Sequence, residues 1–202
     1  MKLRSFLRLL SAPTLILVLA MQTSFAAGFH YQLDLTAKLV NNSDNELTAI
    51  QMSWIYDKEL SAILMDGEDL SEANVQATLK KRTADVLKGL TDVKYFTTLT
   101  LDGAPVVFDA FTDSSLLLAK ESRLQMNVTL PLKKSEPVKG RKLALIVTDD
   151  SAIGLATFID TSHILMDDYY INSCQAPVLE QVKLAEIDGH AQVKETMTID
   201  CR

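Results

Sequence analysis

The chain has 202 residues, with 20 lysine and arginine residues against 26 aspartate and glutamate residues, and a formal net charge of -6. This acidic balance excludes a general nucleic-acid binder, which needs a basic surface. A hydrophobic content of 48% excludes general disorder. Three histidines and two cysteines are too few for a histidine-rich metal sink, a disulfide-dense scaffold or a four-cysteine zinc site.

Residues 1–26 have the outline of a secretory signal peptide. Three basic residues precede the apolar run Leu9–Met21, and Ser24-Phe25-Ala26 resembles a small-x-small cleavage site. The alternative is a membrane anchor, but the run of about 13 residues is shorter than the roughly 20 that a spanning helix needs. We expect residues 27–202 to form a single exported domain. Its net charge is -9, because residues 1–26 contain three basic residues and no acidic residue.

Alternating apolar and polar residues predict β-strands along most of the exported domain. Two such runs, residues 31–39 and 50–56, flank the turn cluster Asn41–Asn45 and predict a hairpin. Asp102-Gly103 is a second hairpin signal. Many short strands between turns favour an antiparallel sandwich. Further strands are expected at residues 95–101, 106–108, 115–119, 124–132, 143–147 and 156–159.

One helical segment interrupts the strands. Asp69-Leu70-Ser71-Glu72 has capping-box spacing, and apolar residues from Val75 to Leu90 fall near one helical stripe. These signals predict a helix from Glu72 to Lys88, with Gly89 helping to stop it, and a shorter helix at Lys58–Leu64. The expected fold class is α+β: an antiparallel β-sandwich-like domain with an inserted helical segment and a C-terminal β-hairpin.

The two cysteines flank that last hairpin. Residues 178–187 and 191–201 read as its strands, on either side of Asp188-Gly189. Cys174 and Cys201 lie at its two ends, and an exported chain meets an oxidising compartment. We expect a disulfide that closes a loop of about 28 residues. The alternatives are a redox pair and a soft-metal site, although the Cys-x-x-Cys spacing is absent.

Catalytic templates are missing from the sequence. It contains no Gly-x-Ser-x-Gly elbow, Walker loop, Gly-x-Gly-x-x-Gly or His-Glu-x-x-His motif. The acid pairs Asp149-Asp150 and Asp167-Asp168 are expected to be solvated loop residues. We therefore expect a protein that is not an enzyme.

Histidines and nearby acids are the candidate metal ligands. His30 shares a strand face with Asp34, but the two lie about 13 Å apart along a regular strand, so one ion would need an irregular strand start or ligands from elsewhere. Cleavage after residue 27 would give Gly28-Phe29-His30 a free amine, which suits Cu(II) or Ni(II). His163, with Asp160 three residues before it, is a second candidate. A lone histidine among loop acids is more often a surface residue.

Several short motifs follow one another in a characteristic order. They are Gly28-Phe29-His30 with Asp34, Trp54-Ile55-Tyr56-Asp57 with Ser61-Ala62, Tyr95-Phe96, Asp102-Gly103 with Val107-Phe108, and Leu130-Pro131-Leu132. Their order and spacing, over most of residues 28–160, resemble a bacterial periplasmic family of unknown function. It is number one thousand and seven in the domain-of-unknown-function series. Two departures are that Gly28 and Phe29 stand where the family has His and Pro. A third is Thr148-Asp149-Asp150, in place of Tyr-Asp-Pro.

The resemblance implies a periplasmic accessory or solute-binding-like component of a divalent-metal transport system for zinc, nickel or cobalt. Its expected partner is an inner-membrane permease of the nickel/cobalt-exporter type, and after signal cleavage it would not span the membrane itself. Only His30 and Asp34 remain from the presumed metal motif. His163 and Asp160 are the second pair of candidate ligands. The resemblance implies no cofactor other than a divalent metal ion. The alternative is a metal-free periplasmic protein-interaction module with a degenerate metal site.

Overall fold

The computed structural model describes residues 31–187 and 189–202. The expected signal peptide and His30 lie outside the described residues. Within them, β-strands dominate, as the alternating sequence predicts. No helix among the described residues is long and apolar enough to cross a membrane.

Most elements follow the sequence-based expectations in order, but a third α-helix (Asp168–Ser173) and a two-residue strand (Ile164–Leu165) were not predicted. The α-helices are α1 (Lys58–Leu64), α2 (Val75–Asp92) and α3 (Asp168–Ser173). The strands are β1 (Tyr31–Asn41), β2 (Glu46–Tyr56), β3 (Thr97–Leu101), β4 (Ala104–Val106), β5 (Ser114–Leu118), β6 (Leu124–Pro137), β7 (Lys142–Thr148), β8 (Gly154–Thr157), β9 (Ile164–Leu165), β10 (Val178–Ile187) and β11 (His190–Asp200).

Two sheets contribute to one hydrophobic core. The first sheet has the order β5-β6-β2-β1-β8, with β9 also paired to β1, and the second has the order β10-β11-β7-β3-β4. The pairings are antiparallel except for the short strands β8 and β9, which run parallel to β1. Alternate side chains of both sheets are buried together, with Trp54 at 0% exposure among them. The α+β, sandwich-like fold expected from the sequence is therefore confirmed.

The helical segment begins later than the capping-box pattern predicts. Helix α2 starts at Val75, because the Asp69 carboxylate accepts hydrogen bonds from the Ser71 backbone N–H at 2.9 Å and from Asn74 at 2.7 Å. Asp69 therefore closes a separate turn before the helix. The expected stop at Gly89 is also wrong: the helix passes through it to Asp92 and buries its apolar stripe in the core.

The strand expected from Tyr95 begins two residues later. Lys94, Tyr95 and Phe96 have φ values of 50°, 56° and 53°, which is the left-handed region that non-glycine residues rarely occupy. This turn places the Tyr95 ring against Trp54, with ring centroids 6.2 Å apart. Packing of the two aromatic side chains thus competes with the β propensity of the local sequence.

The C-terminal hairpin and its disulfide are confirmed. Strands β10 and β11 pair antiparallel, and a disulfide joins Cys174 to Cys201. Gly189 has the positive φ of 84° that this tight turn requires, while Asp188 lies outside the described residues. The disulfide ties the end of α3 to the end of β11.

Candidate functional site at the start of the first strand

The family-like motifs, although far apart in the sequence, meet at the start of β1. The Gln32 backbone N–H donates to Asp57 Oδ2 at 2.6 Å, and the Asp57 N–H donates to the Gln32 carbonyl at 2.9 Å. The other Asp57 oxygen accepts the Leu60 N–H at 2.7 Å and caps α1. Asp57 therefore joins the opening strand to the Trp-x-Tyr-Asp motif and to the helix after it.

Asp34, the described member of the expected metal pair, is engaged by an arginine. Arg123 Nη2 lies 2.6 Å from Asp34 Oδ2, and the side chains are 25% and 16% exposed. The same guanidinium donates to two backbone carbonyls, with Nε 2.7 Å from Tyr56 O and Nη2 3.2 Å from Ile55 O. Gln32 Nε2 occupies the second Asp34 oxygen at 3.0 Å. The structure thus places Asp34 in a charge-assisted network within the protein.

Asp149 is the acid that differs most from its sequence-based expectation. It is 4% exposed, so the expectation of a solvated loop acid is wrong. Its oxygens accept hydrogen bonds from the Tyr31 hydroxyl at 2.9 Å, the Gly154 N–H at 2.8 Å, and the Ser151 N–H and hydroxyl at 2.8 and 2.6 Å. A buried carboxylate needs this number of donors to remain charged.

The pKa shifts at this pair follow from those contacts. Burial by itself raises the pKa of Asp149, but the donors from Ser151, Gly154 and Tyr31 outweigh burial and hold the pKa below its ordinary value. Burial, followed by the hydrogen bond to Asp149, raises the pKa of the Tyr31 phenol. The pair is therefore an ionised carboxylate beside a neutral phenol at neutral pH.

Close packing of aromatic rings fixes this end of the sandwich. The Tyr31 ring lies 6.5 Å from the Phe96 ring, which belongs to the Tyr-Phe motif. It also covers Gly154, where an added Cβ would lie only 1.9 Å from Tyr31 Cε2. Glycine is therefore required at the start of β8, because any side chain would displace the tyrosine.

The second expected pair stays apart from this site. His163 Nδ1 lies 3.2 Å from Asp160 Oδ1, so the two are neighbours, with side chains 29% and 60% exposed. The same Asp160 oxygen accepts the Ser162 N–H at 2.8 Å and its hydroxyl at 2.6 Å. Asp160 thus caps the short 3-10 turn Thr161–His163, and the pair offers two side chains to an ion.

Glu195 is a buried charged residue that sequence reasoning missed. It is 2% exposed, and it accepts hydrogen bonds from the Phe158 N–H at 2.7 Å and from the Thr157 hydroxyl. These contacts tie β11 of the second sheet to the end of β8 and to the residue after it. The alternating pattern of β11 places residue 195 on the buried face of the strand. This alternation is the sequence signal that could have identified Glu195.

The described residues do not fit a complete metal-ion site. No group of three or more His, Cys, Asp and Glu side chains among residues 31–187 and 189–202 could hold an ion. At the start of β1 they form instead a depression of about 360 Å³. Three carboxylates and two cations meet there with one amide: Gln32, Asp34, Asp57, Lys58, Glu121 and Arg123. Such a surface can bind a charged ligand or contact a partner protein.

The fold and this site define an α+β sandwich protein with a polar cluster where the opening strand begins. Comparison with protein families matches residues 14–192 to the family described as "Protein of unknown function (DUF1007)", and the chain belongs to this family. No curated protein and no solved structure matches the chain.

Proposed function

We propose that the protein is a periplasmic accessory component of a divalent-metal transport system for zinc, nickel or cobalt, and that it works without catalysis. Its working surface is the start of β1, where Gln32, Asp34 and Asp57 meet. Residues 1–26 would act as the export signal. An inner-membrane permease is the proposed partner.

One observation carries the proposal: motifs that are distant in sequence converge on one small region. Gln32 bonds to both Asp34 and Asp57, and Arg123 bonds to Asp34. Tyr31 links Phe96 to Asp149. Core packing alone does not require so many charged groups at one end of a sandwich, because charged groups are costly to remove from water. A shared role in binding explains their clustering.

The transported ion needs ligands beyond the described ones. His30 immediately precedes the strand that supplies Asp34, and an imidazole is a preferred ligand for zinc and nickel. We therefore assign the metal contact to His30 together with a ligand from the chain terminus or from the partner. The His163–Asp160 pair is the second choice, because Asp160 already caps its own turn.

A metal-free interaction module is the second candidate function. The observation that favours it is the 2.6 Å ion pair between Arg123 and Asp34, which satisfies the acid of the opening motif without any metal. In that case the same charged depression would contact a protein partner, and its acids would serve to position Lys58 and Arg123.

Calorimetric titration of the exported form, residues 27–202, with Zn(II), Ni(II) and Cu(II) tests the proposal. We expect micromolar binding of at least one ion, weakened at least tenfold by His30→Ala. The matched control is His163→Ala, which removes the same ring from the second candidate pair and should leave the affinity within twofold.

Two outcomes would oppose the assignment. If no ion binds at micromolar concentration, the metal-free module is favoured. If His163→Ala abolishes binding and His30→Ala does not, the site lies at the 3-10 turn and the opening strand has another role.

A further inference from the structure

Oxygen atoms hold the guanidinium of Arg123 through two of its nitrogens, Nε and Nη2. Three oxygens face it from two neighbouring strands: Asp34 Oδ2 at 2.6 Å, Tyr56 O at 2.7 Å and Ile55 O at 3.2 Å. One carboxylate and two backbone carbonyls form the kind of ligand set that hard divalent cations take.

The Arg123 nitrogen occupies the binding distance of a metal ion on Asp34. Calcium binds oxygen ligands at about 2.3 to 2.6 Å, and Arg123 Nη2 lies 2.6 Å from Asp34 Oδ2, so an ion that takes this lone pair must displace the guanidinium. Arginine stays protonated at every physiological pH. A divalent ion would therefore have to displace a fixed positive charge that already has three oxygen partners.

Arg123 changes the balance of acidic and basic side chains around the depression. Asp34, Asp57 and Glu121 line it with Lys58 and Arg123. Lys58 pairs with Glu121 at 2.6 Å. If Arg123 were absent, three acids would face one lysine, and the two acids not paired with that lysine would be Asp34 and Asp57.

We propose that Arg123 is a specificity-determining residue that excludes divalent cations from Asp34, and that its removal opens an oxygen-lined site for a hard cation such as Mn²⁺ or Ca²⁺. The inference rests on the proposed function only in taking the start of β1 as the working surface. It predicts that metal held by the wild-type protein does not depend on the Asp34 carboxylate.

Counting free Mn²⁺ by electron paramagnetic resonance tests the proposal on residues 27–202. Arg123→Met keeps the apolar stem of the side chain and removes the charge, and we expect it to raise the Mn²⁺ affinity at least tenfold over wild type. The double variant Arg123→Met/Asp34→Asn should lose that gain. Arg123→Lys, which keeps a positive charge, should not show it.

The proposal fails if folded Arg123→Met gains no Mn²⁺ binding, or if the double variant retains the gain. Where Arg123→Met does not fold, as judged by circular dichroism, Asp34→Asn in the wild-type background decides: zinc affinity within twofold of wild type supports the proposal, and a tenfold loss overturns it. Failure of the proposed function is a separate result, because it depends on the effect of His30→Ala.

Discussion

Replacing Gly154 by alanine tests the packing that fixes the start of β1. The new Cβ would lie 1.9 Å from Tyr31 Cε2 and 2.1 Å from Tyr31 Cζ, so the ring must move by well over an ångström. That movement breaks the 2.9 Å hydrogen bond to Asp149. Overpacking costs about 1 to 3 kcal/mol, and loss of a hydrogen bond to a buried charge costs about 1.5 to 3 kcal/mol. We expect the free energy of unfolding to fall by about 2.5 to 6 kcal/mol.

Urea denaturation followed by the fluorescence of the single tryptophan measures this loss, since Trp54 is fully buried. Tyr31→Phe separates the two contributions: it keeps the ring contact and should lose only the hydrogen-bond share. Gly89→Ala is the matched control, because nothing lies within 4 Å of its added Cβ in helix α2. It should raise stability by about 0.5 to 1 kcal/mol. A loss below about 1 kcal/mol in Gly154→Ala would refute the packing argument.

Three further predictions concern other parts of the molecule. Removing the disulfide with Cys174→Ser/Cys201→Ser should lower the free energy of unfolding by about 3.5 kcal/mol, the chain-entropy value for a loop of about 28 residues; the measurement is urea denaturation of both proteins. Because the folded state depresses the pKa of Asp149, its contribution is present above about pH 4, the pKa of an unfolded aspartate, and is lost as the pH falls through the lower, folded-state pKa. Asp149→Asn should therefore flatten the acid limb of a plot of melting temperature against pH. Ile159 is 54% exposed with a φ of 63°, a conformation strained for a β-branched side chain, so Ile159→Gly should raise the melting temperature.

Each of these has a clear contrary result. An unchanged urea midpoint in the serine double variant would show that the disulfide adds no stability. An acid limb as steep in Asp149→Asn as in wild type would assign the acid sensitivity to other carboxylates. A melting temperature in Ile159→Gly lower than that of wild type would mean that the isoleucine side chain contributes more by packing than its backbone costs.

Local patterns in the sequence predicted the elements whose causes are local. The hairpin at Asp102-Gly103 and the last hairpin follow from turn chemistry and strand alternation, which act within a few residues. The disulfide followed from two cysteines at the ends of one hairpin. The predicted start of α2 was wrong because Asp69 and Ser71 bond within their own turn. Residues of these types can form such a turn in place of a helix cap.

The candidate site depended on contacts that no local pattern contains. Arg123 lies 89 residues from Asp34, and Asp149 lies 118 residues from Tyr31. Sequence spacing therefore identified Asp34 as a potential ligand but could not find the arginine that engages it. The burial of Asp149 was missed because the Tyr31 hydroxyl that donates to it comes from another strand, although its Ser151 and Gly154 donors lie in its own turn.

A zinc titration of isotope-labelled residues 27–202, followed by proton–nitrogen correlation spectra, tests whether the start of β1 holds the metal ion. Zinc is diamagnetic, so substoichiometric additions report the site by amide shifts alone. The largest amide shifts are expected at Tyr31 and Gln32, with smaller ones at Asp57, which bonds to Gln32. Spectra unchanged by zinc, or shifts confined to residues 160–163, would contradict the claim that the start of the first strand holds the transported ion.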